Sequence, residues 1–189
     1  MINSFKAVVT EVDPDGVSTF RSSEVIEPVH VRVPVSGHKY LTNSLWQVWG
    51  TSDGDPGLQD PAAPVLVPAF PGPGGTRFQV FTIAPVSSAT DLGDLEGRMP
   101  SNELGIGNRI EIDGQDPAFH ATATIDYCFI VDGEVEVELD NGVREKLTRG
   151  SCLVQRGTWH AWRNTSTEPV VIAVVHVGAS SHPHPAILE

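Results

Sequence analysis

His120-Ala121-Thr122-Ala123-Thr124-Ile125-Asp126-Tyr127-Cys128-Phe129-Ile130-Val131-Asp132-Gly133-Glu134-Val135-Glu136-Val137-Glu138-Leu139-Asp140-Asn141-Gly142 is the stretch that decides the fold class. Thr122–Val131 reads as a strand, and Asp132-Gly133 makes a turn. Glu134–Leu139 alternates charge and hydrophobe without a break, the pattern of a half-buried strand with its glutamates in water. Asp140-Asn141-Gly142 signals a hairpin, because Asn-Gly tolerates the positive φ of a type I′ turn. Val143–Leu147 is the return strand. Gly150 punctuates, Ser151–Gln155 and Trp159–Asn164 are further strands, and Pro169–Val177 is a final apolar one. Strands at this spacing without intervening helices make an antiparallel sandwich or barrel.

Upstream the chain is less regular. Val29–Val35 and Leu45–Trp49 read as short β segments. From Pro56 to Gly75, six prolines and a closing Gly72-Pro73-Gly74-Gly75 make a loop or extended arm, since proline donates no ladder hydrogen bond. No helix follows that glycine run, so it is no phosphate cradle. Arg77–Pro85 is a strand. Ser87 to Pro117 is polar and reads as a cover or lid, with a short helix at Asp91–Glu96 and with Gly105 and Gly107 beyond. The expected organisation is an N-terminal β and Pro-rich arm over residues 1–75, a barrel over 76–180 and a tail over 181–189, with few short helices.

Composition narrows the function classes. The 189 residues carry 12 Lys+Arg against 24 Asp+Glu, a formal net charge of −12. Such a chain repels phosphate backbones, so no nucleic-acid partner is expected. No stretch approaches the ~18 apolar residues of a membrane span, and Met1–Thr10 lacks the form of a signal peptide. The expectation is a cytoplasmic protein with Cys128 and Cys152 both reduced and buried.

No phosphate loop, nucleophile elbow, His-Glu-x-x-His or zinc-ribbon spacing is present, which leaves the histidines. From His120 onward, the even positions His120, Thr122, Thr124, Asp126 and Cys128 share one strand face, opposite an apolar face of Ile125, Tyr127, Phe129 and Val131. A carboxylate and an imidazole buried on one face need each other, water or a cation. His160, Trp162 and Asn164 share a face in the same way. His176, within Val174–Val177, reads as a core histidine with one satisfied bond that can also touch a substrate. Trp159 and Trp162 read as mouth and core packing. His182 and His184 read as an exposed tail, and the Glu134/Glu136/Glu138 row as a solvated face.

Here the chain resembles the cupin superfamily, the small double-stranded β-helix (jelly-roll) barrels. The first cupin motif runs His-x-His, three or four residues, Glu, six residues, Gly; here it reads His120-Ala121-Thr122, three residues, Asp126, six residues, Gly133. The second runs Gly, Pro-x-Gly-x-x-His, three residues, Asn; here Gly150 precedes Gln155-Arg156-Gly157-Thr158-Trp159-His160 and then Asn164. The resemblance covers residues 118–177. Thr122 replaces the second histidine, Asp126 the glutamate, and Gln155 stands where proline is usual. What the resemblance implies is a pocket in which His120, Asp126 and His160 hold a divalent metal (Zn, Fe or Mn) or act as acid and base without one, while Thr122, Trp162 and His176 contact the substrate. The implied functions are a lyase, dehydratase, decarboxylase or isomerase acting on a small oxygenated metabolite by metal-assisted proton transfer. A non-catalytic binding module and a non-haem iron dioxygenase are the alternatives. Apolar Trp46, Trp49, Leu66, Val67 and Phe70 in the arm need cover, so a homodimer is expected.

Overall fold

Fourteen strands carry the computed structural model, which describes residues 4–37, 39–54, 57, 64–91 and 110–181. In chain order they are β1 (Phe5–Val12), β2 (Ser18–Ile26), β3 (Val29–Val35), β4 (Lys39–Gly50), β5 (Thr76–Ile83), β6 (Thr90–Asp91), β7 (Ile110–Ile112), β8 (His120–Thr122), β9 (Thr124–Asp132), β10 (Glu134–Glu138), β11 (Arg144–Thr148), β12 (Cys152–Arg156), β13 (Ala161–Arg163) and β14 (Val170–Gly178). The largest sheet runs β12-β9-β14-β5-β4-β3, with β6 beside β4, and a second runs β11-β10-β13. Every pairing is antiparallel. The architecture is an all-β jelly roll.

The alternating segment builds the second sheet as its period demands. Val135 and Val137 turn inward and meet Ile83, Cys128, Ile130, Leu147, Val170, Ile172 and Val174, contributed by the opposite sheet and by β11. Each fully buried aliphatic side chain here is worth about 1.5–3 kcal/mol of transfer free energy. The glutamates turn outward, where Lys146 pairs with Glu134 at 3.0 Å and Arg144 with Glu138 at 3.1 Å. Such exposed pairs add at most about 1 kcal/mol each. The turn forms as the Asn-Gly signal requires, with Asn141 at φ 60°, ψ 21° and Gly142 at φ 71°.

Several expectations change. The strand from His120 breaks at Ala123, dividing β8 from β9. Cys128 is buried as expected but Cys152 is exposed, on a face of β12 where Val154 and Arg156 are exposed too. The apolar face of β9 is likewise partly open, with Tyr127 and Phe129 exposed. The first 75 residues hand β3 and β4 to the barrel sheet itself. The cover expected from a partner for Trp46 comes from its own chain: it is buried against Phe5, Val80 and Val171 beneath the β1–β2 hairpin. The expected helix past Asp91, Gly105 and Gly107 with the lid around them, and His182 and His184 lie outside the described residues. The helices described are two 3₁₀ turns, Val86–Ser88 and Asp140–Gly142. No helix among the described residues is long and apolar enough to cross a membrane.

Arg77 fastens the Pro-rich segment down. Its buried guanidinium donates to the carbonyls of Pro68 (2.8 Å), Thr51 (2.7 Å) and Thr76 (2.7 Å). Asp53 Oδ1 accepts from Gly72 N at 2.8 Å nearby. The glycine run is thereby a packing device: a Cβ on Gly178, at the end of β14, would stand 1.8 Å from the Gly72 carbonyl oxygen.

Candidate functional site

One cavity of about 220 Å³ opens into the barrel and has two unlike ends. Val31 and Val33 of β3, Leu41 and Leu45 of β4, and Phe81 and Ile83 of β5 make an apolar end. His120, Thr122, Asp126, Gln155, His160 and His176 make a polar one, with Trp162 on the wall between.

Register places the polar groups. Gln155 of β12 lies opposite Asp126 of β9, and Asp126 lies opposite His176 of β14, so three neighbouring strands present a row of polar side chains. His176 Nδ1 and Asp126 Oδ1 are 2.7 Å apart, both nearly buried. Burial alone would raise the Asp126 carboxyl, but the charge and hydrogen bond of His176, with the Thr124 hydroxyl, outweigh it and hold it below the ordinary carboxylate range. Thr124 also bonds Thr122, Oγ1 to Oγ1, at 2.8 Å.

The two motif histidines face each other. His120 N–H donates to the His160 carbonyl and His160 N–H to the His120 carbonyl, both at 2.9 Å, and the rings lie 4.4 Å apart. His120 Nδ1–H donates to Ala118 O at 3.0 Å and His160 Nδ1–H to Thr158 O at 2.9 Å. Those backbone bonds select the Nδ1–H tautomer and leave each Nε2 as a lone pair without a hydrogen-bond partner among the described residues. Burial first, then the nearness of His120, brings His160 down to about 3. Burial also lowers His120. Both imidazoles are neutral at pH 7. Cys128 is pushed up to about 12 by burial and by Asp126, so its thiol is inert here.

His120, Asp126 and His160 therefore share one cavity, and Thr122, Trp162 and His176 line it with them. Of the residues expected to hold a metal, His120 and His160 keep Nε2 lone pairs that no hydrogen bond among the described residues uses. Asp126 Oδ1 is committed to His176 and the Thr122 hydroxyl to Thr124. Among the described residues no three His, Cys, Asp or Glu side chains are grouped as ligands of one ion. Asp126, one methylene shorter than glutamate, reaches the histidine on the neighbouring strand and stops there. Trp159 leaves the cavity and stacks on Phe119 with rings 5.9 Å apart. Asn164 is structural: its amide donates to Ile83 O and Glu168 O, both at 2.8 Å. Sequence reasoning missed the valines and leucines of β3 and β4, Phe70 edge-on to His176 at 5.1 Å, and Gln155. For Gln155 a signal existed, an amide in an otherwise apolar strand.

Residues 109–177 match the family model of the cupin domain. Over 53 residues, 28% of this chain, it is 43% identical to Oryzines biosynthesis cluster protein J of Aspergillus oryzae, covering 30% of that protein. Over 53 residues it is 47% identical to Phomopsin biosynthesis cluster protein C' of Diaporthe leptostromiformis, covering 28% of each. The matched stretch spans less than a third of the length of these curated relatives. Among solved structures, a putative ethanolamine utilization protein Q from Salmonella typhimurium aligns with 94% of this chain and 98% of its own, at 9% identity and a TM-score of 0.43.

Proposed function

We propose that this chain, a cupin-domain protein, is an enzyme that moves a proton on a small oxygenated metabolite, in a lyase, dehydratase, decarboxylase or isomerase reaction. The observation that carries the reading is the Asp126–His176 pair lining a largely apolar cavity together with two neutral imidazoles. A carboxylate bonded to one imidazole nitrogen fixes the tautomer, aims the other nitrogen and stabilises the imidazolium that forms. His176 Nε2 is then the proton carrier and Asp126 its partner, a change from the role of substrate contact expected for His176. His160 and His120, held neutral, are poor bases at pH 7 but good acceptors for a substrate hydroxyl. Trp162 and Phe81, edge to face at 6.5 Å, wall the reacting end from water. The relatives' membership of biosynthesis clusters supports a metabolite as substrate.

The test is hydrogen–deuterium exchange of enolisable carbonyl compounds in deuterated buffer, followed by proton NMR. Asp126→Asn and His176→Gln are each expected to slow enzyme-dependent exchange by about 10²–10⁴-fold, the range of a positioned acid or base. Wild-type rates in both variants would remove the pair from the mechanism. Saturable binding with no exchange would leave a non-catalytic binding module.

We also propose a homodimer, formed by the open sheet face and not by the arm. Val154, Tyr127, Val175 and Phe78 stand in register across β12, β9, β14 and β5, and all but Val175 are well exposed. An apolar row of this extent favours a second copy. Light scattering should give twice the 20.3 kDa chain mass, and Tyr127→Glu should return it to the monomer value. A wild-type monomer at micromolar concentration rejects this interface.

A further inference from the structure

A buried amide in the cavity wall has half of its hydrogen-bonding capacity unused. Gln155 is 4% exposed and lines the cavity, and its Nε2 has no partner among the described residues. Its other end is fixed, for the Thr158 hydroxyl donates to Oε1 at 2.7 Å. With Oε1 tied to Thr158, the amide N–H group is turned to the opposite side. It sits in register beside Asp126, whose carboxylate is already engaged by His176 and Thr124. Buried donors are left unpaired only at a cost, which a ligand acceptor at this spot removes.

The rest of the cavity limits what that acceptor is. Arg163 is the one permanently cationic side chain lining it among the described residues, and Arg163 is spent, while His176 is paired to Asp126. The Arg163 Nε donates to Glu138 Oε2 at 2.7 Å and its Nη2 to Asp116 Oδ2. A carboxylate or phosphate would find no countercharge and would face the charge of Asp126. The walls beyond are mostly aliphatic and aromatic, and the amides among them are engaged by backbone, Asn43 Oδ1 by Ala84 N and Gln79 Nε2 by Ala69 O. An apolar protein cavity of ~150 Å³ accommodates benzene, so 220 Å³ accepts a substituted ring or a short branched chain.

We propose that Gln155 is a specificity residue whose Nε2–H donates to the carbonyl oxygen of an uncharged, largely apolar ligand. The assignment rests on reading this cavity as the substrate site, and it adds the class of substrate and the residue that selects it. An oxygen held there lies beside the Asp126–His176 pair, so the amide favours negative charge that builds on it when a neighbouring C–H proton leaves.

Binding is the test, independent of turnover. Acetophenone, ethylbenzene and benzoate share a ring and differ only in the group offered to Gln155. Titration followed by ¹H–¹⁵N NMR should show acetophenone binding at least about fivefold more tightly than ethylbenzene, the worth of one neutral hydrogen bond, and benzoate more weakly than either. The Gln155 side-chain amide resonance, identified by its loss in Gln155→Leu, should move with the ketone and not with the hydrocarbon. Gln155→Leu should bring the two affinities within twofold while ethylbenzene binds as in the wild type. Gln155→Met serves should the leucine variant fail to fold, and the wild-type resonance shift requires no variant. Equal affinity for ketone and hydrocarbon, a ketone preference surviving in the variant, tightest binding of benzoate, or no binding of any probe would each overturn the proposal. Ketone selectivity without deuterium exchange would leave it standing while rejecting the catalytic reading.

Discussion

Acidification from pH 7 to pH 3 is expected to strip as much as about 5 kcal/mol from the stability of the fold through His160 alone. The unfolded chain takes up a proton on this imidazole near its ordinary 6.5, whereas the folded chain refuses it until about 3. Between those limits the unfolded state binds more protons, so stability rises with pH and is lost on the way down. His120 shifts in the same direction because of the same burial. Asp126 adds to the loss at the acid end, since a carboxyl held below its ordinary value stabilises only while ionised. Domains have about 5–15 kcal/mol in total, so unfolding near pH 4 is the expected result. Denaturant midpoints at pH 7, 5.5 and 4 measure it. His160→Gln, which has no proton to take up, should show a shallower slope over this window even where it is less stable at pH 7. An unchanged slope would mean that His160 is not held neutral by the fold.

Arg77→Met is expected to cost about 3–5 kcal/mol, the range for removing one partner of a buried charged hydrogen-bonded group. Three backbone carbonyls, those of Thr51, Pro68 and Thr76, lose their donor at once, and Asp53 loses its neighbouring positive charge. A chain of this size then melts roughly 6–20 °C lower. Arg77→Lys should recover little, because an ammonium lacks the planar fork that meets the three carbonyls together. The segment released carries Ala69 and Phe70, which line the cavity. Ligand affinity should therefore fall with stability. A melting temperature within 2 °C of wild type would show the guanidinium to be replaceable by solvent.

Local chemistry explains what was readable before any coordinates. The Glu134–Leu139 alternation and Asn141-Gly142 specify a hairpin from within themselves, and both form. Strand parity likewise puts His120, Thr122, Asp126 and Cys128 on the cavity side. What was not readable depends on partners far along the chain. Asp126 meets His176 across fifty residues, and that match hangs on the ladder between β9 and β14, which slips between Val171 and Ile172. Nothing in either strand announces the slip. The motif places His120, Asp126 and His160 together, but which donor the carboxylate's Oδ1 meets is set by register. The exposure of Cys152, expected buried, and of Tyr127 was hidden for a simpler reason: apolar parity marks a face, and only packing decides whether that face is covered.

The cavity's two ends come from different parts of the chain. Its histidines, Asp126 and Gln155 lie within the stretch matching the cupin family, whereas most of its aliphatic lining comes from β3, β4 and β5, upstream of that stretch, with Asn43 and Gln79 among it. Reactivity and molecular fit are consequently separable by inheritance. Exchange of a few side chains at Val31, Val33, Leu41 or Leu45 recuts the mould while the proton-handling groups stay untouched, so descendants sharing one chemistry can diverge in the shape of what they accept. The same division gives the protein engineer a graft point: residues 29–35 and 39–45 pair antiparallel at the sheet edge, joined by backbone pairing to a single barrel strand, β5, and to the two-residue β6.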